Sequence, residues 1–338
     1  MNKRLRTILQ YVFFFALGFF FVWLSVKDVG RPQRLQIRSA LQHARFYLAV
    51  PVFLILLASH YVRAIRWRLL IKSLGYNPSK ANTFFAVMIG YIVNQAVLRL
   101  GEVMKCTVLA RYEKVPADKL VGTIILERLI DAITLVVVLV VTIIIQPSLY
   151  DELLATIFHV RGDGDGKKIP GYVFLLIIFG IVILGIALWM LIKKKNFNDL
   201  AVAIKKIVRR VWEGISAIQH LRKRKLFLLY TVMLWALYLG GGYIGFFALQ
   251  ETEHYGIREA FTVLSAGSVG MTITPGGIGG YAYLLEQVMQ VYGLSEGVAL
   301  AFGWLLWLSN TGVIIIGGLF SFVALPLFNK KKLQQSAL

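Results

Sequence analysis

Charged side chains interrupt stretches that are otherwise strongly apolar, and these residues have the types and spacing for chemistry. Glu127, Arg128 and Asp131 lie within one long apolar run. Glu127 and Asp131 are in an i, i+4 relation, so they share one face of a helix. Charges inside a bilayer are costly, and they either pair with one another or mark the path of a substrate. The motif therefore predicts either a charge network that braces the protein or part of an anion-binding site.

A second cluster follows an apolar run that is too short to cross a membrane. Its candidate substrate-binding residues are Asn94, Arg99, Gly101, Glu102 and Lys105. Gly101 permits a turn, and Glu102 begins the next helix, where the helix dipole favours a carboxylate. Arg99 or Lys105 could hold a phosphate with Glu102 as counter-ion. Alternatively, Arg99 and Glu102 form an ion pair that closes a hairpin.

A glycine-rich turn provides the third group of candidates. These residues are Thr272, Thr274, Pro275, Gly276, Gly277, Gly279, Gly280, Tyr281 and, on the following helix, Glu286. The proline ends one helix, and the glycines leave backbone N–H groups bare ahead of the next, which is an arrangement that binds anions. It is not a nucleotide loop, because no Gly-Lys-Ser/Thr follows. The spacing of Gly276 and Gly280 also fits close packing of helices, and both interpretations can hold together.

The composition places these groups in a membrane protein. Of the 338 residues, 58% are hydrophobic and 16% are charged, whereas soluble domains have roughly 45–50% and 25%. This excludes an ordinary cytosolic enzyme, a disordered protein and a disulfide scaffold. The single cysteine, Cys106, and five dispersed histidines form no metal-ligand pattern, so we expect no metal and no cofactor. The net charge of +20 is typical of basic loops on anionic lipid, rather than of a nucleic-acid partner.

Six runs are long enough to span a bilayer, which needs about 20 apolar residues. They are residues 8–26, 46–71, 119–146, 171–192, 226–250 and 296–322. No signal-peptide cleavage site follows the first run, so we interpret it as a retained span. Residues 82–112 and 260–292 are apolar segments broken by the two turns described above. Each predicts a re-entrant hairpin, because neither half is long enough to cross.

The basic loops predict the orientation of the chain. Residues 193–225 hold eleven Lys and Arg against two acids, so this segment and both termini should be cytoplasmic. Within it, residues 196–222 have one apolar and one basic face, which predicts an amphipathic helix on the anionic inner leaflet. The first loop, residues 27–45, contradicts the rule, because it is basic although the topology places it outside.

This topology divides the chain into two halves of opposite orientation. Residues 1–146 form the first repeat, residues 147–325 the second, and residues 326–338 a basic cytoplasmic tail. Inverted repeats with broken helices are the architecture of secondary transporters, whose binding site lies where the broken helices meet. We therefore predict an all-α, polytopic membrane protein with about six spans, two re-entrant hairpins and a site at the hairpin tips.

The Gly101-Glu102 turn, the Glu127-Arg128-Leu-Ile-Asp131 motif and the Pro275-Gly-Gly-Ile-Gly turn resemble the lysylphosphatidylglycerol synthase transmembrane-domain family. This flippase-like family is similar over roughly residues 10–325. In its fusion members, a cytosolic domain aminoacylates phosphatidylglycerol, and the membrane domain is thought to move the product between leaflets.

Two departures from the family pattern qualify this resemblance. Nothing follows Leu338 that could form the aminoacyl-transfer domain, so we do not expect synthase activity. Many relatives also carry an arginine in the last span, near where this chain has Leu306-Trp307. The resemblance therefore supports the fold more strongly than the activity.

The leading hypothesis is an inner-membrane translocator for a lipid with an anionic headgroup, such as a phospholipid or a polyprenyl phosphate. Its partners would be membrane lipids, without nucleic acid, and a homo-oligomer is compatible with the sequence. The alternatives are a lipid-modifying membrane enzyme, a secondary transporter of a small solute, and a scaffold that recruits partners through residues 196–222.

Overall fold

The computed structural model describes residues 3–27, 29–97, 100–147, 221 and 223–335, with side chains from residue 15 to residue 330. The described residues are helical or in turns, as the sequence predicts. The predicted span over residues 171–192 lies outside them, and so does the predicted helix over residues 196–222 except for Leu221. The chain forms two compact units, of which one contains Met1–Arg128 and Leu221–Leu338, and the other Leu129–His220.

Within the described ranges, the first unit contains nine α-helices and the first part of a tenth, α6. The first five are α1 (Lys3–Val26), α2 (Arg31–Gln42), α3 (Ala49–Ser73), α4 (Lys80–Ala96) and α5 (Leu100–Glu113). They are followed by α6 (Ala117–Ile145), α7 (Arg224–Phe246), α8 (Ile257–Ile273), α9 (Gly280–Val291) and α10 (Glu296–Gln335). Helix α6 continues past Arg128 into the second unit, where it supplies the described residues 129–145.

Four described helices are long and apolar enough to cross a membrane. They are Phe46–Ser73, Ala117–Ile145, Arg224–Phe246 and Glu296–Lys330, and they coincide with four of the six predicted spans. A shorter apolar stretch, Phe15–Val26, lies within α1. The outward surfaces of these helices are apolar. Exposed residues include Val50 and Leu54 on α3, Leu229 and Val232 on α7, and Phe320 and Val323 on α10.

The first hairpin, α4 and α5, closes through glycines. The two helices cross at Gly90 and Gly101, where a methyl group on Gly101 would overlap the carbonyl oxygen of Gly90. The Asn94 side-chain oxygen accepts a hydrogen bond from the Gly101 N–H at 2.8 Å, which satisfies a donor at the start of α5. Small residues at a crossing let two backbones approach closely enough for extensive van der Waals contact.

The second hairpin, α8 and α9, closes in the same way about 180 residues further along the chain. Gly270 faces the backbone of Gly280 and Tyr281, and Thr274 lies beside Gly280. Gly270 and Gly280 therefore take the places that Gly90 and Gly101 take in the first hairpin, and Thr274 lies where Asn94 does. The inverted repeat of the two halves of the chain stays a prediction.

The two hairpins open toward opposite ends of the bundle. Near the start of α4, Asn82 exchanges two hydrogen bonds of 2.9 Å with Asn329, close to the end of α10. The open end of the other hairpin lies beside the start of α10, since Tyr292 ends α9 there and its carbonyl accepts a hydrogen bond from Tyr255. The 3₁₀ turn Pro275–Gly277, at the tip of the second hairpin, packs on the end of α4.

Helix α2 lies within the basic first loop, where the sequence analysis assigns no helix. Gly30 caps its N-terminus through a hydrogen bond with Gln33, and Pro32 occupies its first turn. The helix docks on the start of α10 through two glutamines. Gln33 donates to Glu296 at 3.1 Å, and Gln36 accepts from the Gly297 N–H at 3.1 Å. This docking accounts for an ordered segment in a stretch rich in arginine.

We predict that Gly101→Ala destabilises the protein by roughly 1–3 kcal/mol, which is the usual cost of forcing extra volume into a packed site. The added methyl group would push α5 away from Gly90. The matched control is Gly240→Ala on α7, because its methyl group would meet nothing within 4 Å. Thermal unfolding in detergent, followed by circular dichroism, measures both variants. Equal melting temperatures for the two would show that the hairpin does not depend on this contact.

Candidate functional site

A fully buried carboxylate, Glu127 on α6, is the centre of an ion cluster. Arg63 Nη1 lies 3.1 Å from Glu127 Oε1, and Lys105 Nζ lies 3.0 Å from Glu127 Oε2. Arg66 Nη2 approaches Glu127 Oε1 at 3.7 Å. The side chains of Glu127 and Arg66 are 0% exposed. Three basic groups from α3 and α5 therefore converge on one acid, and we call Arg63, Arg66, Lys105 and Glu127 the buried ion cluster.

Hydrogen bonds from α7 orient the two arginines of the cluster. Arg63 Nη2 donates to the Tyr238 hydroxyl at 3.1 Å, and Arg66 Nη1 donates to Thr231 Oγ1 at 3.3 Å. The Arg66 guanidinium also lies 5.6 Å from the centre of the Phe227 ring. A planar guanidinium suits both interactions, because it presents several donors in one plane and a flat face to an aromatic ring.

One aromatic side chain of α3, Trp67, packs against the cluster. Lys105 Nζ lies 4.6 Å from the centre of the Trp67 ring, which is a cation–π distance. The Trp67 indole N–H donates to Thr123 Oγ1 at 2.9 Å, which fixes the ring on α6. Trp67 is fully buried. The cluster thus joins α3, α5, α6 and α7, and its members have little freedom to reorient individually.

A second ion pair lies at the edge of the cluster. Arg128 Nε is 3.1 Å from Glu102 Oε1, and their side chains are 39% and 31% exposed. This pair differs from Glu127 because surrounding lipid or water can reach it. Glu102 therefore pairs across to α6. Arg99, the other candidate partner of Glu102, lies outside the described residues, and Asp131 belongs to the second unit.

Close packing accounts for the glycines of the second tip. Gly276 lies against Gln95 at the end of α4, and Gly277 lies against Met271. Gly279 faces the backbone of Gly18 and Val22 on α1. At each of these positions a methyl group would meet neighbouring atoms at less than ordinary van der Waals distance, so the tip is closed by protein.

Polar contacts join the second tip to α10. The Trp307 indole N–H donates to the carbonyl oxygen of Gly276 at 3.0 Å, so α10 holds the tip through this side chain. Asn310 donates to the Tyr281 hydroxyl at 3.5 Å. Glu286 is buried and accepts a hydrogen bond from Gln290 at 3.3 Å. The contacts of Trp307 and Asn310 attach the tip to α10, whereas the hydrogen bond between Glu286 and Gln290 lies within α9.

Two threonines of the second tip differ in their surroundings. Thr272 is exposed, and its hydroxyl donates to the Ser268 carbonyl within α8. Thr274 is fully buried, and its hydroxyl has no hydrogen-bond partner among the described residues. Pro275 is buried beside it. The second tip is therefore built mainly of backbone and small side chains, whereas the charges gather at the first hairpin.

Five residues of the charged site escaped the sequence analysis. They are Arg63, Arg66, Trp67, Thr231 and Tyr238. A signal for the arginines was present, because Arg63 and Arg66 stand three apart inside a predicted span, where charges are rare. No comparable signal marks Tyr238 or Thr231, since such residues are common in membrane helices.

The apolar helices and the buried ion cluster define a multi-pass membrane protein with an internal charged site. The family model of the lysylphosphatidylglycerol synthase TM region matches residues 7–318, and the chain belongs to this family. It is 27% identical over 82 residues to the UPF0104 membrane protein MJ1595 of Methanocaldococcus jannaschii. This match covers 23% of the chain and 24% of that relative, about a quarter of its length. No solved structure matches the chain.

We predict that Glu127→Gln destabilises the protein far more than Glu102→Gln. Removing one partner of a buried ion pair costs about 3–5 kcal/mol, because the remaining charges stay buried without compensation. An exposed pair contributes about 0–1 kcal/mol. The measurement is the melting temperature of each purified variant in the same detergent. A Glu127→Gln variant as stable as Glu102→Gln would mean that the three basic groups do not depend on this carboxylate.

Proposed function

We propose that this protein moves a lipid with an anionic headgroup, such as a phospholipid or a polyprenyl phosphate, between the leaflets of the bacterial inner membrane. The observation that carries the proposal is the buried ion cluster. Its arginines and lysine supply the donors that bind phosphate. The arginines lie in a helix that is long and apolar enough to cross a membrane. The membrane family to which the chain belongs supports a lipid-related role.

Stability alone is a poor explanation for this cluster. Replacing a buried ion pair with apolar side chains of similar volume is often neutral or stabilising. Ionisable groups within membrane segments are expensive, and they mark substrate or ion pathways. We infer that the carboxylate of Glu127 occupies the place that a headgroup phosphate takes during transport. The carboxylate would hold Arg63 and Lys105 in position until the phosphate arrives.

The exposed pair of Glu102 and Arg128 is the proposed entry point through which a headgroup reaches the buried ion cluster. Arg128 is adjacent in sequence to Glu127, and Glu102 and Lys105 are in an i, i+3 relation on α5, so they face the same side. A phosphate that displaces Glu102 from Arg128 would be within about one helical turn, roughly 5 Å, of Lys105. The lipid tails would remain outside, against the apolar surfaces of α3 and α7.

The two hairpins provide the moving parts. They open toward opposite ends of the bundle, and the second tip packs on the end of α4. Broken helices that meet in this way form the central site of transporters that expose it alternately to the two sides. Lys80 at the start of α4, Lys225 on α7 and Lys330 on α10 share one end, which we assign to the cytoplasm with both termini.

A leaflet-resolved assay in proteoliposomes tests this function. We expect wild type to accelerate the exchange of fluorescent phosphatidylglycerol or a fluorescent polyprenyl phosphate. Lys105→Gln and Arg128→Gln should lower the rate tenfold or more, because a charge-assisted hydrogen bond contributes about 1.5–3 kcal/mol. Glu102→Gln should also lower it. The control is Arg45→Gln, which removes an exposed ion pair with Glu253 at the other end of the bundle.

Three measurements accompany the assay. Size-exclusion profiles establish that each variant is folded, and lipid mass spectrometry establishes that headgroups are chemically unchanged. A change in headgroup composition would instead favour a lipid-modifying enzyme. Rates in Lys105→Gln and Arg128→Gln that equal the rate of Arg45→Gln would exclude the cluster as the transport site.

A further inference from the structure

A basic pocket lies at the end of the bundle that carries Lys80, Lys225 and Lys330. It has a volume of about 410 Å³, within the range of small-molecule sites. Its lining residues are Leu69, Lys72, Ser73, Gly75, Tyr76, Asn77, Leu221 and Lys223. The pocket is formed by the last turn of α3, the loop between α3 and α4, and the segment leading into α7. It is separate from the buried ion cluster, none of whose residues lines it.

The charged residues described in the lining of this pocket are basic. Lys72 and Lys223 line it, and Arg68 and Lys80 add their positive charges to the surroundings of Lys72. Among the described lining residues there is no acid. Of the acids near this end, Glu113 accepts a hydrogen bond from Asn82, and Asp118 lies in the first turn of α6, adjacent in sequence to Lys119.

The walls of the pocket are held in place by side-chain contacts. Arg68 reaches forward from α3 and donates to the Pro78 carbonyl, and it also donates to Asn77 Oδ1 at 2.8 Å. Tyr76 packs beneath Lys119, whose Nζ lies 5.4 Å from the centre of the tyrosine ring. Gly75 has a φ of +90°, which allows the tight turn after α3. The loop is thus shaped before any ligand arrives.

The lining combines charge with apolar surface. Leu69 and Leu221 lie beside the two lysines. A free inorganic anion would use only the charges, whereas an amphiphile would use both kinds of surface. We propose that this pocket binds the phosphate group of an anionic phospholipid at the membrane surface. Lys72 and Lys223 contact the phosphate oxygens, and Leu69 and Leu221 contact the glycerol and the first carbons of the acyl chains.

Binding of short-chain phosphatidylglycerol to the purified full-length protein in detergent tests this site. Short-chain phosphatidylcholine and inorganic phosphate serve as the other two ligands, and microscale thermophoresis measures the affinities. The pocket variant is Lys72→Gln combined with Lys223→Gln. The control, Lys114→Gln combined with Lys330→Gln, removes the same charge from exposed positions at the same end of the bundle.

We expect the pocket variant to bind phosphatidylglycerol about thirtyfold more weakly than wild type, because each basic residue near an anionic lipid contributes about a factor of five. The control variant should stay within about threefold of wild type, and phosphatidylcholine should bind wild type weakly. Each single variant, Lys72→Gln or Lys223→Gln, should bind phosphatidylglycerol about fivefold more weakly than wild type. Circular dichroism verifies that all variants are folded.

Two results would overturn the proposal. Equal losses in the pocket and control variants would show a diffuse effect of charge. Inorganic phosphate that binds wild type as tightly as phosphatidylglycerol would show a site for free phosphate. This assay measures no transport and leaves Lys105 and Glu127 intact in every variant, so a loss of affinity confined to the pocket variant belongs to the pocket and does not depend on the proposed translocation.

Discussion

The ion cluster around Glu127 is the constraint on which the arrangement of the first unit depends. An ionised carboxylate with no exposed surface is costly in an apolar helix unless basic groups pair with it. Arg63, Arg66 and Lys105 meet this requirement, and they determine how α3 and α5 sit against α6. Tyr238 extends the same network to α7. Displacing α3 or α6 would separate Glu127 from its arginines, and displacing α7 would remove the hydrogen bonds that orient Arg63 and Arg66.

The two hairpins must hold their helices together without the hydrophobic effect, because lipid supplies little driving force for the association of two apolar helices. Glycine pairs let the backbones touch, so van der Waals contact replaces the hydrophobic effect. Gly90 with Gly101 and Gly270 with Gly280 do this at corresponding places. The second hairpin is then attached to α10 by Trp307 and packed on α4 through Gly276. The tip of the second hairpin is densely packed, whereas the first hairpin carries the charged residues Glu102 and Lys105. The second hairpin therefore has a packing role, and the first contributes to the charged site.

Much of this fold could be predicted from hydropathy, since four predicted spans and the second glycine turn correspond to described elements. Gly101, which the sequence predicts to permit a turn, lies inside α5, and the space it needs is explained by its contact with Gly90. The Glu127-Arg128 motif was also visible. The partners of Glu127 were not, because averaging over an apolar run hides two arginines, and the choice between possible partners is decided by tertiary packing. Helix α2 was missed for a related reason. Its arginine-rich sequence is polar on average, so a search for long apolar runs passes over it, and its docking through Gln33 and Gln36 depends on α10.

The positions of the charges along α3 connect the two proposed lipid contacts. Arg63 and Arg66 belong to the buried ion cluster, and Lys72 lines the basic pocket at the end of the same helix. At 1.5 Å per residue, Arg66 and Lys72 are separated by about 9 Å along the axis. A phosphate held at the surface by Lys72 is therefore within two helical turns of the depth of the cluster. Charges needed only for orientation in the membrane would be sufficient at the surface, and the continuation of basic residues along α3 into the buried region favours a path for an anionic group.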